Sequence, residues 1–376
     1  MARFLCVPTI RKYDLLLKII EAAPRMVPPP DEILVVDNGG GFQPPANSAI
    51  KVSVIRPGKN LGVAGSWNRM LDETLTPENT VLVINDDLTL NPKAFEAVET
   101  HKSDAHIVVA AGFEAFCMTP AVRDLVGRFD PTFFPAYYED NDYARRAKLK
   151  GIGIKHLGHE IVSAHVGSAT IKSGFAVDSH ANHLYYQRKW GGSPGQETRG
   201  FPVHLDDEYH RLLGTPTDIQ NHLPRLRALA AQCDSVVEFG TRTAVSTTAI
   251  LHGQPAKFTA YDINRSDRAV WLREVGGRTH YRFVVADTRE IEIEPCDLLF
   301  IDTLHVYEQL SAELALHADK VRGRIAMHDT VAFGTNGELP GSKGLRPAIH
   351  EFLAKGGWKV EAEYTDSNGL TVLKRI

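Results

Sequence analysis

Short apolar runs recur along the chain, and again and again they stop at an acidic residue. In the first half Val35-Val36 ends at Asp37 before Asn38-Gly39-Gly40, Val81 to Ile84 ends at Asn85-Asp86-Asp87, and Tyr137-Tyr138 runs into Glu139-Asp140-Asn141-Asp142. In the second half the pattern returns as Ser235 to Gly240, Phe258 to Asp262, Phe283 to Asp287, Cys296 to Asp302 and Arg324 to Asp329. An apolar β-run that closes on a carboxylate sets that carboxylate at the carboxyl edge of a sheet, where open α/β folds bind their ligands. The pattern predicts two α/β domains, each with a cleft at such an edge. Asp218 to Pro224 opens a helix leading to Cys233, with a Leu and Ala stripe for the second sheet. Gly344 to Leu353 reads as another amphipathic helix, and Lys359 to Tyr364 with Leu370 to Leu373 as a closing hairpin.

At 376 residues the chain has the length of two ordinary domains. The stretch from Trp190 to Pro216 is rich in Gly, Pro and charge, which sets the expected boundaries at 1–195, a linker at 196–217, and 218–376. A net charge of -4, with acids and bases interspersed, gives no overall basic footprint for nucleic acid. A local patch, Arg145-Arg146-Lys148-Lys150, keeps a nucleic-acid contact open. Cys6, Cys117, Cys233 and Cys296 are scattered and form no C-x-x-C pair, as expected of buried thiols in a reducing compartment. No apolar run approaches the ~18 residues of a membrane span, and the amino terminus enters a strand at once, so the expectation is a cytoplasmic protein without a signal peptide.

Several of these acids carry two readings. Asp37-Asn38-Gly39-Gly40 is also a sound strand-ending turn, because Asn and Gly tolerate positive φ. Asn85-Asp86-Asp87 comes directly after a strand, and adjacent carboxylates suit a hard divalent cation that shares its ligands with substrate phosphates. A separate Asn91-Pro92 start signal follows for the next helix, so these acids are not needed as its cap. Glu139 to Arg146 also reads as an acidic helix start followed by basic residues that suit the helix dipole.

The first ~190 residues resemble the family 2 glycosyltransferases of the GT-A fold. The likeness is carried by Asp37-Asn38, by Asn60-x-Gly62-x-Ala64-Gly65-x-x-Asn68, by Asp86-Asp87, and by Glu139-Asp140. It implies a nucleotide-diphosphate sugar donor, uridine diphosphate by default, held by Asp37, Asn38, Asn60, Gly62, Asn68 and Asp86. It also implies Mn²⁺ or Mg²⁺ on Asp87 and on His165 of the run Ser163 to Ser168. Asp140, with Glu139 beside it, becomes the base in an inverting transfer. Asn85 stands where the family often has the first acid of D-x-D, which places the coordination on one carboxylate and the diphosphate.

From about residue 220 onward the chain resembles class I S-adenosylmethionine methyltransferases. Phe300-Ile301-Asp302-Thr303-Leu304-His305 and Gly323 to Asp329 bring it closer to the branch of macrolide-sugar O-methyltransferases and cephalosporin-hydroxylase-like proteins. The resemblance implies S-adenosylmethionine bound by Glu238, Gly240, Thr241, Asp262 and Asp287, with Asp262 on the ribose and Asp287 near the adenine. It implies a metal on Asp302 and Asp329 and a base in His305, with His328 where a second acid is usual. Asp302 and His305 also read as an ordinary strand-end pair, and Ala244-Val245 replaces the later glycine of the cofactor loop.

Together the halves predict a bifunctional enzyme that adds a sugar to a glycan, glycoside or modified-base acceptor and then methylates a sugar. Two alternatives stay open: a carboxy-terminal domain that only recognises the acceptor or assembles a homo-oligomer, and a phage or bacterial DNA-base glycosyltransferase.

Overall fold

The computed structural model describes residues 2–165 and 179–376. The chain divides into two compact units, Met1–Thr198 and Arg199–Ile376.

The first unit is built on a sheet in the order β3-β2-β1-β4-β7-β6-β8. Its strands are β1 (Arg3–Thr9), β2 (Glu32–Asp37), β3 (Lys51–Ile55), β4 (Thr80–Ile84), β6 (His106–Val109), β7 (Ala115–Cys117) and β8 (Gly153–His156). Only β7 runs antiparallel within this sheet. Alternate side chains of β1, β2 and β4 feed two cores, one on each face. Leu5, Val7, Ile33, Val35, Leu82 and Ile84 pack with the helix Tyr13–Ala22, and Cys6, Leu34, Val36, Val81 and Val83 pack with the helix Gly62–Thr74. Such strands read as unbroken apolar runs because both faces are covered. A two-stranded ribbon, β5 (Leu88–Leu90) against β9 (Val162–His165), sets Leu88 opposite His165.

The second unit has the order β12-β11-β10-β13-β14-β16-β15. These strands are β10 (Ser235–Phe239), β11 (Lys257–Asp262), β12 (His280–Val285), β13 (Cys296–Ile301), β14 (Val321–His328), β15 (Trp358–Tyr364) and β16 (Leu370–Arg375). β10 to β14 are parallel, and β16 enters antiparallel between β14 and β15. This is the strand order and direction of the class I methyltransferase fold. The expected hairpin is β15 and β16, and the expected late helix is Leu345–Ala354.

Three expectations are corrected. Within the linker placed at 196–217, Val203–Leu213 is a helix, and its Leu205, Tyr209 and Leu212 are buried in the core of the second unit. Gly and Pro flank this amphipathic turn and hide it from a composition reading. The helix expected from Asp218 is a 3-10 turn, Gln220–His222, followed by the helix Leu223–Ala230. The basic patch is only partly a surface, with Lys148 exposed and Arg145 half-buried. Arg146 and Lys150 are buried, Arg146 donating to the Val126 and Arg128 carbonyls and to Asp142, and Lys150 to the Leu125 carbonyl. The four cysteines are free thiols, three of them buried and Cys233 half-buried. Among the described residues no helix is long and apolar enough to cross a membrane.

Candidate active sites

In the first unit the sheet reverses its winding between β1 and β4, and the carboxyl ends of those strands open into a cleft of about 340 Å³. Such a switch point is where an open α/β sheet binds ligands. Thr9, Asn38, Asn60, Gly62, Asp86, Asp87, Glu114, Tyr137, Glu139, Asp140 and His165 all line it. Thr9 spans the switch point, its hydroxyl donating to Asp86 Oδ2 at 2.7 Å. Burial raises the Asp86 pKa to about 6, and the neighbouring Asp87 charge adds to the rise against the Thr9 bond. The β5–β9 pairing places His165 Nε2 3.3 Å from Asp87 Oδ1. Val166 to Ser168, the rest of the run read around this histidine, lie outside the described residues.

Gly62 takes φ +68°, and a Cβ there would meet the Phe134 ring and the Pro135 carbonyl, each at 2.9 Å. Val63 N donates to that same carbonyl, so the start of the helix and the loop at 134–137 are held together. Two non-glycine residues with positive φ follow, Tyr137 at 77° and Tyr138 at 73°. Left-handed backbone at bulky residues persists only where the surroundings impose it. Here Asn182 donates to the Ala136 and Tyr137 carbonyls, and the Tyr138 ring stacks on His183 at 5.2 Å. The strained pair launches the helix Glu139–Leu149 with both candidate acids in its first turn, facing the cleft. Asp142 anchors this helix from beneath through Arg146, Lys189 and the Trp190 indole.

Burial, then the Asp140 charge, raises the Glu139 carboxyl to about 8, and its Oε2 is buried without a hydrogen-bond partner among the described residues. Burial also raises Asp140. A carboxyl whose folded pKa lies above its unfolded value of 4.5 stabilises the fold below that value, and the contribution is lost as pH rises through about 8. Between pH 5 and 8.5 the first unit should therefore lose stability to urea, and Glu139→Gln, which keeps the neutral shape, should flatten that slope in a paired comparison.

Two predicted nucleotide residues do other work. Asn68 is buried away from the cleft lining, and its amide both donates to the Phe129 carbonyl and accepts from the Phe129 N–H. Asp37 also lies outside the cleft lining. Its carboxylate accepts from the Gly39, Gly40 and Phe42 N–H groups and from the Tyr13 hydroxyl, building the loop after β2. Asn38 instead lines the cleft, donating to Ser66 and accepting from Leu61 N.

In the second unit Glu238 lies fully buried at the end of β10, taking the hydroxyls of Ser246 and Thr247 at 2.6 and 2.7 Å; burial raises it to about 8. It is a bracket between strand and helix. Gly240 has φ +85°, and a Cβ would strike the Asp302 carbonyl. Thr241 is buried beside it. Asp262 accepts from Arg242 N at 2.7 Å and Asn264 N at 2.8 Å, so it closes the cofactor-type loop. Ala244, where a glycine is usual, adopts the glycine-like φ of 62°. Asp287 is held by its own Arg289, which keeps its carboxyl below the usual range.

Across the switch point, after β13 and β14, four side chains gather. His305 Nε2 lies 3.2 Å from Asp302 and 3.0 Å from Asp329, and His328 Nδ1 lies 3.2 and 3.4 Å from the same two acids. Burial opposes charge on both imidazoles, yet the hydrogen bonds from Asp302 and Asp329 outweigh it and raise both to about 10. The imidazoles in turn hold both carboxyls low against burial. Glu338 accepts from His305 Nδ1 at 2.9 Å, and the Phe333 ring stacks on His305 at 5.0 Å. Among the described residues, Asp302, His328 and Asp329 are the one trio whose donor atoms all lie within 4.8 Å. Asp86, Asp87 and His165 form no such trio.

Thr9, Glu114, Asn182 and Glu338 were missed in the sequence. Thr9 ends an apolar run as the acids do, but with a hydroxyl; the others sit in loops or on a distant helix, without periodic signal.

Residues 4–158 match the model of glycosyl transferase family 2. No curated protein matches the chain. Solved structures similar to it include an S-adenosylhomocysteine-bound methyltransferase of Podospora anserina, 15% identical over 54% of this chain and 97% of that one, with a TM-score of 0.34. An O-methyltransferase of Bacillus cereus is 14% identical over 52% and 97%, with a TM-score of 0.36. Strand order and direction, rather than these distant likenesses, carry the fold of the second unit. Residues 4–158 thus match glycosyl transferase family 2, in one chain with a unit that has the strand order and direction of the class I methyltransferase fold.

Proposed function

We propose that the protein is a bifunctional transferase. The amino-terminal unit moves a sugar from a nucleotide diphosphate, by default uridine diphosphate, to an acceptor hydroxyl with inversion, and the carboxy-terminal unit O-methylates a sugar with S-adenosylmethionine. The observation that carries the first half is the cleft in which Asp86, Asp87, Glu139, Asp140 and His165 converge within and beside the family-matched residues. Asp87 and His165 fit a divalent cation as a pair that leaves room for diphosphate oxygens, the arrangement Mg²⁺ or Mn²⁺ adopts with nucleotide substrates. Held by Asp87 and His165, such a cation would supply positive charge against the departing diphosphate. Asp140 takes the acceptor proton, and Glu139, neutral at ordinary pH, offers a donor to a sugar hydroxyl.

The second half rests on the glycine bend at Gly240 and the cluster of Asp302, His305, His328 and Asp329 at one switch point. Gly240 lies so close to the Asp302 carbonyl that no Cβ fits, which lets the loop after β10 bend tightly across the end of β13, as a cofactor loop of this fold requires. S-adenosylmethionine supplies the electrophilic methyl group when bound. Asp262 and Thr241 shape its loop, and His305, which Asp302 and Asp329 hold protonated, would take the proton from the acceptor hydroxyl only once a cation on those two carboxylates had offset their charge. Joining the two units raises the local concentration of a glycosylated intermediate for the second step. The acceptor is a glycan, glycoside or modified base, and free cysteines support a reducing, cytoplasmic setting.

Binding is the first test. Uridine diphosphate with Mn²⁺, and separately S-adenosylhomocysteine, should each stabilise the chain by about 2.7 kcal/mol at 100 times Kd. Asp302→Ala should abolish methyl transfer and spare sugar transfer. Stabilisation by the nucleotide alone would leave the second unit as an acceptor-recognition module.

A further inference from the structure

We propose that the carboxy-terminal cluster selects a first-row transition cation such as Mn²⁺, Fe²⁺ or Zn²⁺ over Mg²⁺, with His328 as a direct ligand beside Asp302 and Asp329. This rests on reading the cluster as a metal site. The imidazole geometry carries it further. His328 Nε2 lies 3.0 Å from the Ser367 carbonyl oxygen, which can only accept, so Nε2 carries the hydrogen. In the neutral ring the lone pair is then on Nδ1, the nitrogen that faces both carboxylates. A hydrogen bond from the far nitrogen to a backbone carbonyl is the arrangement that orients a ligating histidine.

The carbonyl itself is held in place. Ser367 and Asn368 have φ of 43° and 65°, and the Asn368 carbonyl accepts from both Val331 N and Ala332 N. Backbone in that region is costly for side-chain-bearing residues and persists where the surroundings fix it. Asp329 is also left-handed, at φ 59°. The second, independent sign of a ligand is on Asp329. The residue is 3% exposed, and its Oδ1 is buried with no hydrogen-bond partner among the described residues. A buried carboxylate oxygen in that state is costly unless a cation meets it.

The donor set decides the cation. Mg²⁺ prefers an all-oxygen octahedron and gives up its waters reluctantly, whereas imidazole suits the later divalent metals. One nitrogen ligand in place of an acid removes a negative charge from the site and adds a donor that Mg²⁺ uses poorly.

The test uses the full chain carrying Asp87→Ala and His165→Ala, so that the amino-terminal site does not compete. Calorimetric titration with MnCl₂ or MgCl₂ alone should show one site that binds Mn²⁺ on the order of 100-fold more tightly than Mg²⁺. In the Mn²⁺-loaded protein, electron spin echo modulation should carry a directly bound ¹⁴N. That signal should vanish in His328→Asp, which should also bring the two affinities within about tenfold, and persist in His305→Gln. Mg²⁺ bound as tightly as Mn²⁺ would overturn the selectivity, and a ¹⁴N signal lost in His305→Gln would overturn His328 as the ligand, either result leaving a metal site in place. Should His328→Asp fail to fold, the wild-type affinities and the His305→Gln spectrum still decide. Absence of any cation binding would overturn both readings and leave an ion-paired cluster of imidazoles and acids.

Discussion

Asp140→Asn should lower sugar transfer by about 10²–10⁴-fold, the usual worth of a positioned general base, with little change in folding or in nucleotide binding. The substitution keeps the shape of the side chain and its contact with Asn141 N, and removes the proton acceptor. Asp140 is a better base than an exposed carboxylate because burial raises its pKa, and Glu139, raised to about 8, is largely protonated near neutral pH. A neutral carboxyl beside the base can donate where the base accepts. Glu139→Gln should accordingly cost less than Asp140→Asn when turnover is measured with a uridine diphosphate sugar and a simple acceptor. If Glu139→Gln is the more damaging change and Asp140→Asn retains most activity, the assignment of the base is reversed.

The strained pair Tyr137-Tyr138 shows what could and could not be read from the sequence. The acids of its helix were legible because Glu139-Asp140 follows an apolar run and begins a polar helix. The left-handed backbone that aims them was not, since it depends on Asn182 and His183, more than forty residues along the chain. The second sheet was legible strand by strand, and the first at β1, β2 and β4, because burial on two faces forces unbroken apolar runs and parallel edges collect the terminal acids, whereas β3, β6, β7 and β8 end on no acid. What an acid does at that edge was less legible. Asp37 spends its carboxylate on its own loop and Asp86 accepts from Thr9, while Asp302 and Asp329 converge with two imidazoles. Those outcomes are set by neighbours brought in by strand order, which local spacing does not encode. The same holds for Arg146 and Lys150, which look like surface cations in sequence and are buried because loop carbonyls lie beneath them.

Gly240→Ala should destabilise the second unit by about 3 kcal/mol or more and abolish stabilisation by S-adenosylhomocysteine. Two costs combine there. The residue sits at φ +85°, where a side chain costs roughly 1–2 kcal/mol. The new Cβ would also strike the carbonyl of Asp302, and because the Asp302 N–H is bonded to the Phe239 carbonyl at 2.8 Å, the residue cannot move away as a whole without breaking the junction of β10 and β13. Gly356→Ala separates the two costs, because that glycine has φ +80° and open space around its Cβ position. The difference between the variants in denaturant unfolding reports the collision alone. Hydrogen exchange should locate it, with protection lost in β10 and β13 and kept in β1 and β4. Since the struck carbonyl belongs to Asp302, the same variant should weaken cation binding at the cluster even where the unit stays folded. Equal losses in the two alanine variants would mean that the loop after β10 can move away from β13, and that the cofactor cradle and the acidic cluster are not mechanically joined.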